Sequence, residues 1–176
     1  MNVEESVASL KAVIRDVPDF PKPGIVFKDI TTLLKNPKAF QRALDLFTAL
    51  CGDHLADKVL AIESRGFIVG AALADRLGVG FVPLRKPGKL PGKTIRYTYT
   101  LEYGEDCLEI HEDALTPGER VLIVDDVIAT GGTAHAAGEL VGKLGGTVAA
   151  YAFLVELSFL NGRSRLEGDV LSLIRY

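Results

Sequence analysis

The sequence predicts an α/β fold with a central, mostly parallel sheet flanked by helices. Three short runs at residues 59–62, 79–84 and 121–124 are predicted strands, and the first and the third are typical of strands that are buried on both faces. Segments with helical spacing of apolar residues follow the first and the third of these runs. Strands that alternate with helices form parallel sheets through right-handed crossovers, so these observations together predict the fold class.

The N-terminal part of the chain is predicted to be mainly helical. Val7, Leu10 and Ile14 recur at helical spacing, which predicts an amphipathic helix over residues 4–16. Residues 18–24 contain three prolines and therefore form an extended or turning connection. A second helix is expected after Asn36, which is suited to the N-cap, with Pro37 at the first helical position.

The rest of the chain is predicted to add two helices and four further strands. Helices are predicted over residues 66–77 and 133–144, each ending at a glycine. Residues 94–101 alternate polar and apolar side chains, which is typical of a half-exposed antiparallel strand. Residues 108–110 can pair with that strand across a turn at 103–106, and residues 147–156 and 170–174 are further strands. No linker divides the chain, so we expect a single domain over residues 1–176.

Composition narrows the class of protein. The 176 residues are 48% hydrophobic and 24% charged, as in an ordinary globular domain. The apolar runs are far shorter than a membrane span, and the acidic start of the chain is unlike a secretory signal. Cys51 and Cys107 cannot form a multi-disulfide framework, and we interpret them as free thiols in a reducing compartment. We therefore expect a cytoplasmic protein with no membrane partner.

Charge and histidine spacing exclude two further classes of site. The formal net charge of −3 argues against general affinity for nucleic acid, which requires a basic surface. His54, His111 and His135 stand far apart and lack the spacing of metal ligands. We expect neither a nucleic-acid partner nor a metal held directly by the protein.

The most informative stretch is residues 121–133. A four-residue apolar strand leads into Asp125 and Asp126, then a small-residue loop, then a helix. Ligands of open α/β sheets lie at the carboxyl ends of strands, and glycines let backbone N–H groups approach an anion at a helix N-terminus. The alternative is a helix cap with an ordinary turn, but the order of the elements favours a phosphate site. The loop consists of Ala129, Thr130, Gly131, Gly132 and Thr133.

This string closely resembles the signature with which type I phosphoribosyltransferases bind phosphoribosyl pyrophosphate (PRPP). It lacks the lysine of a Walker A loop and the glycine spacing of a dinucleotide site. The resemblance implies the type I fold, with a small base-binding hood from residues 18–34 and 156–176 and a mobile hairpin loop. It also implies that the loop at 129–133 binds the 5-phosphate and that Asp125 and Asp126 bind the ribose hydroxyls.

Residues 20–30 resemble the adenine-specific branch of that family in particular. The resemblance implies that Val26 reads the adenine edge through its backbone and that Phe27 stacks on the ring, with Leu157 as the opposite wall. Flat apolar faces with a few edge hydrogen bonds suit a purine. Lys28 stands where many members have arginine, and it is counted with the adenine-binding residues.

Residues 61–67 are similar to the pyrophosphate loop of the same branch. Glu63, Ser64 and Arg65 would face the leaving group, for which arginine is a natural partner. The alternative is a surface ion pair at the start of a helix. Resembling enzymes often have a non-proline cis peptide here, a rare geometry, and we expect it at Glu63–Ser64, with Ser64–Arg65 as second choice.

The third similar region covers residues 85–93 and 101–104. Between Pro83 and Leu101 the chain has five basic residues and no acidic one, a pattern that suits either a solvated loop or a polyanionic substrate. The resemblance assigns the pyrophosphate end to Arg85, Lys86 and Lys89, some reaching across a homodimer interface. It assigns catalytic proton handling at the base to Glu102 on the mobile loop, with Tyr103 beside it.

The resemblance as a whole implies transfer of the 5-phosphoribosyl group from PRPP to adenine, with Mg²⁺ bound together with PRPP. Three alternatives stay open. The chain could use another base such as hypoxanthine, xanthine or orotate, or it could be a PRPP-sensing regulator without catalysis. It could also be a fragment of a PRPP synthetase, although no ATP site is recognisable in the sequence.

Overall fold

The computed structural model describes residues 2–20, 22–101 and 104–176. The predictions for Glu102 and Tyr103 therefore lie outside the described residues. Within these ranges the helices are α1 Val3–Val13, α2 Thr31–Leu34, α3 Pro37–Cys51, α4 Arg65–Leu77 and α5 Gly132–Lys143. The strands are β1 Arg15–Pro18, β2 Val26–Asp29, β3 Lys58–Ile62, β4 Gly80–Leu84, β5 Thr94–Leu101, β6 Gly104–His111, β7 Arg120–Ile128, β8 Thr147–Glu156 and β9 Val170–Arg175.

The predicted parallel sheet is confirmed. Its five strands lie in the order β4-β3-β7-β8-β9, and every neighbouring pair is parallel. Two small antiparallel pairs, β1 with β2 and β5 with β6, lie outside it. Strand β2 lies within residues 18–34, which were expected to form part of the hood, whereas β1 lies before that segment apart from Pro18.

Each face of the sheet has its own core because alternate strand residues point to opposite sides. Along β7, Val121 and Ile123 pack with the α5 side chains and with β5 and β6. Leu122 and Val124 pack with α1, α3 and α4 on the other face. The described part of the chain contains no helix that is long and apolar enough to cross a membrane.

Several predicted boundaries are confirmed by the geometry of the helix ends. The Asn36 side chain accepts a hydrogen bond from the Ala39 N–H at 3.1 Å, and Pro37 is the first residue of α3. Gly78 ends α4 in the left-handed region at φ 68°. Both thiols are free, as expected, and burial raises the pKa of Cys51 to about 12.

Three sequence predictions were wrong in detail. The first helix ends at Val13 rather than residue 16, because Arg15–Pro18 pairs with Val26–Asp29 as a strand. The predicted turn at 103–106 is too long, since β6 begins at Gly104 and Asp106 pairs with Tyr99. The acidic pair does not end its strand, because β7 continues along β8 as far as Ile128.

Close packing of α4 on β3 depends on Gly70. A Cβ atom at this position would lie 2.5 Å from the Ala61 Cβ. We predict that Gly70→Ala lowers the free energy of unfolding by about 1–3 kcal/mol, as overpacking does, even though alanine favours helices. Urea unfolding measures the change.

The matched control is Gly142→Ala in α5, where an added Cβ has no neighbour within 4 Å. We expect this change to be neutral or to stabilise by about 0.5–1 kcal/mol. If the Gly70 variant is as stable as the Gly142 variant, α4 and β3 do not make the contact described.

Candidate functional site

A cavity of about 560 Å³ opens at the carboxyl ends of β3 and β7. It brings together most of the residues singled out in the sequence, although these come from five separate segments. Those that line it are Val26, Phe27, Lys28, Glu63, Ser64, Arg65, Lys86, Asp125, Asp126, Ala129, Thr133 and Leu157. Thr130, Gly131 and Gly132 line an adjoining cavity of about 90 Å³, next to Asp125 and Phe153.

The loop at 129–133 has the form of an anion site. Gly131 is the N-cap of α5 and lies in the left-handed region at φ 81°, which favours glycine. No side chain of a described residue caps this helix end, so the first N–H groups of α5 face the small cavity without a side-chain acceptor. These groups and the helix dipole suit a phosphate.

The acidic pair lies beside this loop and contacts the start of α4. Asp126 is only 4% exposed, and its Oδ2 lies 2.6 Å from Arg65 Nε. Asp125 Oδ1 accepts a hydrogen bond from the Asp126 N–H at 2.8 Å. Burial, followed by the charge of Asp126, raises the pKa of Asp125 well above its usual value. Only glycine fits at position 66, where a Cβ would lie 2.7 Å from Asp125 Oδ1.

The predicted cis peptide is present at Glu63–Ser64. Arg65 follows as the first residue of α4, and its guanidinium carbon lies 5.1 Å from the centroid of the Phe27 ring. Arg65 does form an ion pair, but its partner Asp126 is buried and lines the cavity, so the pair is not the surface ion pair of the alternative interpretation. Arg65 thus joins Phe27 to the acidic pair.

The carboxylate of Glu63 organises the basic segment. Its side chain is 8% exposed and accepts hydrogen bonds from Arg85 Nε at 3.0 Å, Lys89 Nζ at 3.1 Å and the Lys86 N–H at 2.9 Å. Burial alone would raise the pKa of Glu63, but these hydrogen bonds outweigh it and hold the pKa below its ordinary value. Arg85 and Lys89 are thus fixed at the edge of the cavity rather than in its lining.

Two further polar residues, Tyr99 and Asp106, belong to this arrangement and were not singled out in the sequence. Asp106 on β6 forms an ion pair with Lys86, and the Tyr99 hydroxyl donates to Asp106 Oδ2 at 3.1 Å. The Tyr99 hydroxyl also lies 3.2 Å from Thr133 Oγ1 in the loop at 129–133. Alternation along β5 was visible in the sequence, but it does not reveal which residues of β6 lie opposite those of β5.

The segment expected to bind the base forms the open side of the cavity. Val26 is 46% exposed, and the Phe27 ring packs edge-on against Phe20 with centroids 5.2 Å apart. Lys28 lines the cavity, but its amine bonds Asp16 Oδ1 at 2.6 Å and lies 4.1 Å from the centroid of the Tyr176 ring. The charge of Lys28 is therefore used to hold β1, β2 and the C-terminal residue together.

The chain is similar to proteins of known class. A family model described as phosphoribosyl transferase domain matches residues 29–169. The adenine phosphoribosyltransferase of Thermotoga neapolitana is 61% identical over 168 residues, which are 95% of this chain and 99% of that protein.

Solved structures agree with this similarity. The crystal structure of adenine phosphoribosyltransferase from Thermoanaerobacter pseudethanolicus has a TM-score of 0.94 and 54% identity, and the match covers 97% of this chain and 99% of that one. The Saccharomyces cerevisiae enzyme, crystallised with an imino-altritol bisphosphate and adenine, has a TM-score of 0.93 and 44% identity over 97% of this chain and 99% of that one.

The depressed pKa of Glu63 predicts how stability changes with pH. Relative to Glu63→Gln, the wild type gains stability that is fully present above pH 4.5, the ordinary pKa of glutamate, and is lost as the pH falls through the lower pKa of the folded state. Urea unfolding of both proteins at pH 7 and near pH 4 measures this. A difference in stability that does not shrink on acidification would show that the ion pairs of Glu63 contribute nothing net.

Proposed function

The chain belongs to the adenine phosphoribosyltransferase family, and we propose that it transfers the 5-phosphoribosyl group of PRPP to adenine, giving AMP and pyrophosphate. The observation that carries the proposal is that one cavity joins a phosphate loop, an acidic pair and an aromatic wall. Purine salvage is the metabolic role that this reaction implies.

Each part of the substrate pair has a partner in the cavity. The loop at 129–133 and the N-terminus of α5 suit the 5-phosphate, and Asp125 and Asp126 suit the ribose hydroxyls. The pyrophosphate would lie towards Ser64, Arg65 and Lys86, with Arg85 and Lys89 behind them on Glu63. Adenine would lie between Phe27 and Leu157, with its edge at the backbone of Val26.

The reaction needs no nucleophilic side chain. N9 of adenine attacks C1 of PRPP, and the bond from C1 to the pyrophosphate oxygen breaks, so that pyrophosphate leaves with the electron pair. The proton of N9 passes to Glu102, the residue that we propose handles the proton at the base. Because bond breaking runs ahead of bond making, C1 carries oxocarbenium character, as in glycoside hydrolysis. The protein positions both substrates, stabilises the leaving group with Arg65 and Lys86, and keeps water from C1.

Mg²⁺ fits this site as a companion of PRPP. In the described part of the chain no group of three or more His, Cys, Asp or Glu side chains could hold a metal ion. Asp126 faces Arg65, and Asp125 accepts an N–H, so both would reach the ion mainly through its waters. When bound with PRPP, Mg²⁺ would offset part of the negative charge of the leaving group, and Arg65 and Lys86 would offset more.

A homodimer in the cytoplasm completes the proposal. The resemblance implies that Arg85, which Glu63 holds at the edge of its own cavity, also reaches the neighbouring subunit's site. The two free thiols suit a reducing compartment. Sedimentation at working concentration tests the assembly. A fully active monomer would contradict it.

An assay with PRPP, Mg²⁺ and a panel of bases tests the reaction itself. We expect AMP formation with adenine and much slower turnover with hypoxanthine, xanthine and orotate. Preferential use of another base would refute the adenine assignment, and PRPP binding without turnover of any base would favour the regulator.

Phe27→Ala should raise the KM for adenine by about ten-fold or more, because stacking on an aromatic ring contributes about 1–3 kcal/mol per base. The KM for PRPP should change little. Phe159→Ala is the matched control, since Phe159 is 71% exposed and its ring lies in solvent. Equal effects of the two changes would remove Phe27 from the base site.

Glu102→Gln should lower kcat by about a hundred-fold while leaving PRPP affinity nearly intact, because a group that handles a proton acts as charge develops. The control is Glu105→Gln, which removes the same charge from an exposed position on β6. Steady-state kinetics and PRPP titration separate the two parameters. An unchanged kcat would exclude Glu102 from the mechanism.

A further inference from the structure

The 3₁₀ turn Gly162–Arg165, here called the hood turn, packs directly on the loop at residues 129–133, here called the phosphate loop. A Cβ on Gly162 would lie 2.2 Å from the Ala129 carbonyl oxygen, and a Cβ on Gly131 would lie 2.2 Å from the Gly162 carbonyl oxygen. The two backbones therefore touch, and neither glycine has room for a side chain. The hood turn and the phosphate loop are positioned by each other.

A buried ion pair fixes the hood turn to the sheet. Glu156 at the end of β8 is 6% exposed and accepts two hydrogen bonds from Arg163, from Nε at 2.9 Å and from Nη2 at 2.6 Å. This fork holds the pKa of Glu156 below its usual value. Planar, two-point pairing restricts the turn far more than a single contact would. Because the single charge of Arg163 is already paired with Glu156, this arginine is not free to bind a ligand.

Arg165, two residues further along the hood turn, is placed differently. Its Nη1 lies 3.5 Å from the point where a Cβ on Gly132 would stand, so its guanidinium adjoins the first residue of α5. Arg165 is exposed, and it forms no ion pair with any residue in the ranges 2–20, 22–101 and 104–176. A fixed turn thus brings an unpaired cation to the phosphate loop.

The phosphate loop supplies too little positive charge of its own to balance a bound phosphate. Residues 129–133 carry no basic side chain, and the helix N-terminus supplies only about half an elementary charge. A phosphate monoester close to neutral pH carries almost two negative charges, and a guanidinium is its natural hydrogen-bond partner. The loop amides and Arg165 together would balance that charge.

We propose that Arg165 is a further phosphate-binding residue, which contacts the 5-phosphate of PRPP and of AMP from the hood turn. This inference rests on the proposed function, because it takes the loop at 129–133 as the 5-phosphate site. It predicts a loss of affinity confined to ligands that carry the 5-phosphate.

The test compares Arg165→Gln, Arg165→Lys and the wild type by calorimetric titration with PRPP, ribose 5-phosphate and magnesium pyrophosphate. We expect Arg165→Gln to weaken PRPP and ribose 5-phosphate by about ten-fold, the size of one hydrogen bond between charged groups. Pyrophosphate affinity should stay within about two-fold, because its site lies at the other end of PRPP. Arg165→Lys keeps the charge and should recover much of the loss.

The matched control is Arg120→Gln, which removes one exposed arginine at the opposite end of β7. It should leave all three affinities unchanged, and melting temperatures should show that every variant folds. If Arg165→Gln binds ribose 5-phosphate like the wild type, or weakens pyrophosphate equally, the assignment of Arg165 is wrong. If the wild type itself does not bind PRPP, the proposed function fails instead.

Discussion

Strand β7 is longer than its neighbour β3, and much of the site follows from this difference. The two strands pair only as far as Val124, whereas β7 continues along β8 to Ile128. The last four residues of β7 therefore have an open edge on the side of β3. The cis peptide at Glu63–Ser64 and the start of α4 occupy that edge, close enough for Gly66 to touch Asp125. The acidic pair, the loop at 129–133 and the start of α4 meet because β7 extends beyond the end of β3.

Most of the cations at the site are paired with carboxylates of the same protein. Glu63 holds Arg85 and Lys89, Asp106 holds Lys86, and Asp126 holds Arg65. Three carboxylates thus keep four cations in place without requiring a bound anion. Such preorganised groups cost little reorganisation when a charged ligand arrives. Within the described residues, Arg165 contrasts with these four cations because it has no acidic partner.

Much of the fold could be predicted from the sequence because the signals were local. Buried apolar runs, the Asn36 cap and the glycine stops each depend on a few neighbouring residues, and the structure bears them out. Contacts between segments that lie far apart in the sequence were harder to predict. The β1–β2 pair was missed because the 18–24 segment offered only prolines as a signal, and the partners of Lys86 depend on the register of β5 with β6. Roles taken from resemblance, such as that of Glu102, stay predictions.

The different surroundings of the two cysteines have a practical consequence for spectroscopy. A thiol reacts as its thiolate, and burial raises the pKa of Cys51 so far that it stays protonated at neutral pH. Cys107 is half-buried on β6, directly after the carboxylate that pairs with Lys86. A maleimide dye or spin label should therefore attach at Cys107 alone. The chain therefore offers one attachment site for a probe, next to the Asp106 carboxylate that pairs with Lys86 of the cavity, with no need for a cysteine-free background.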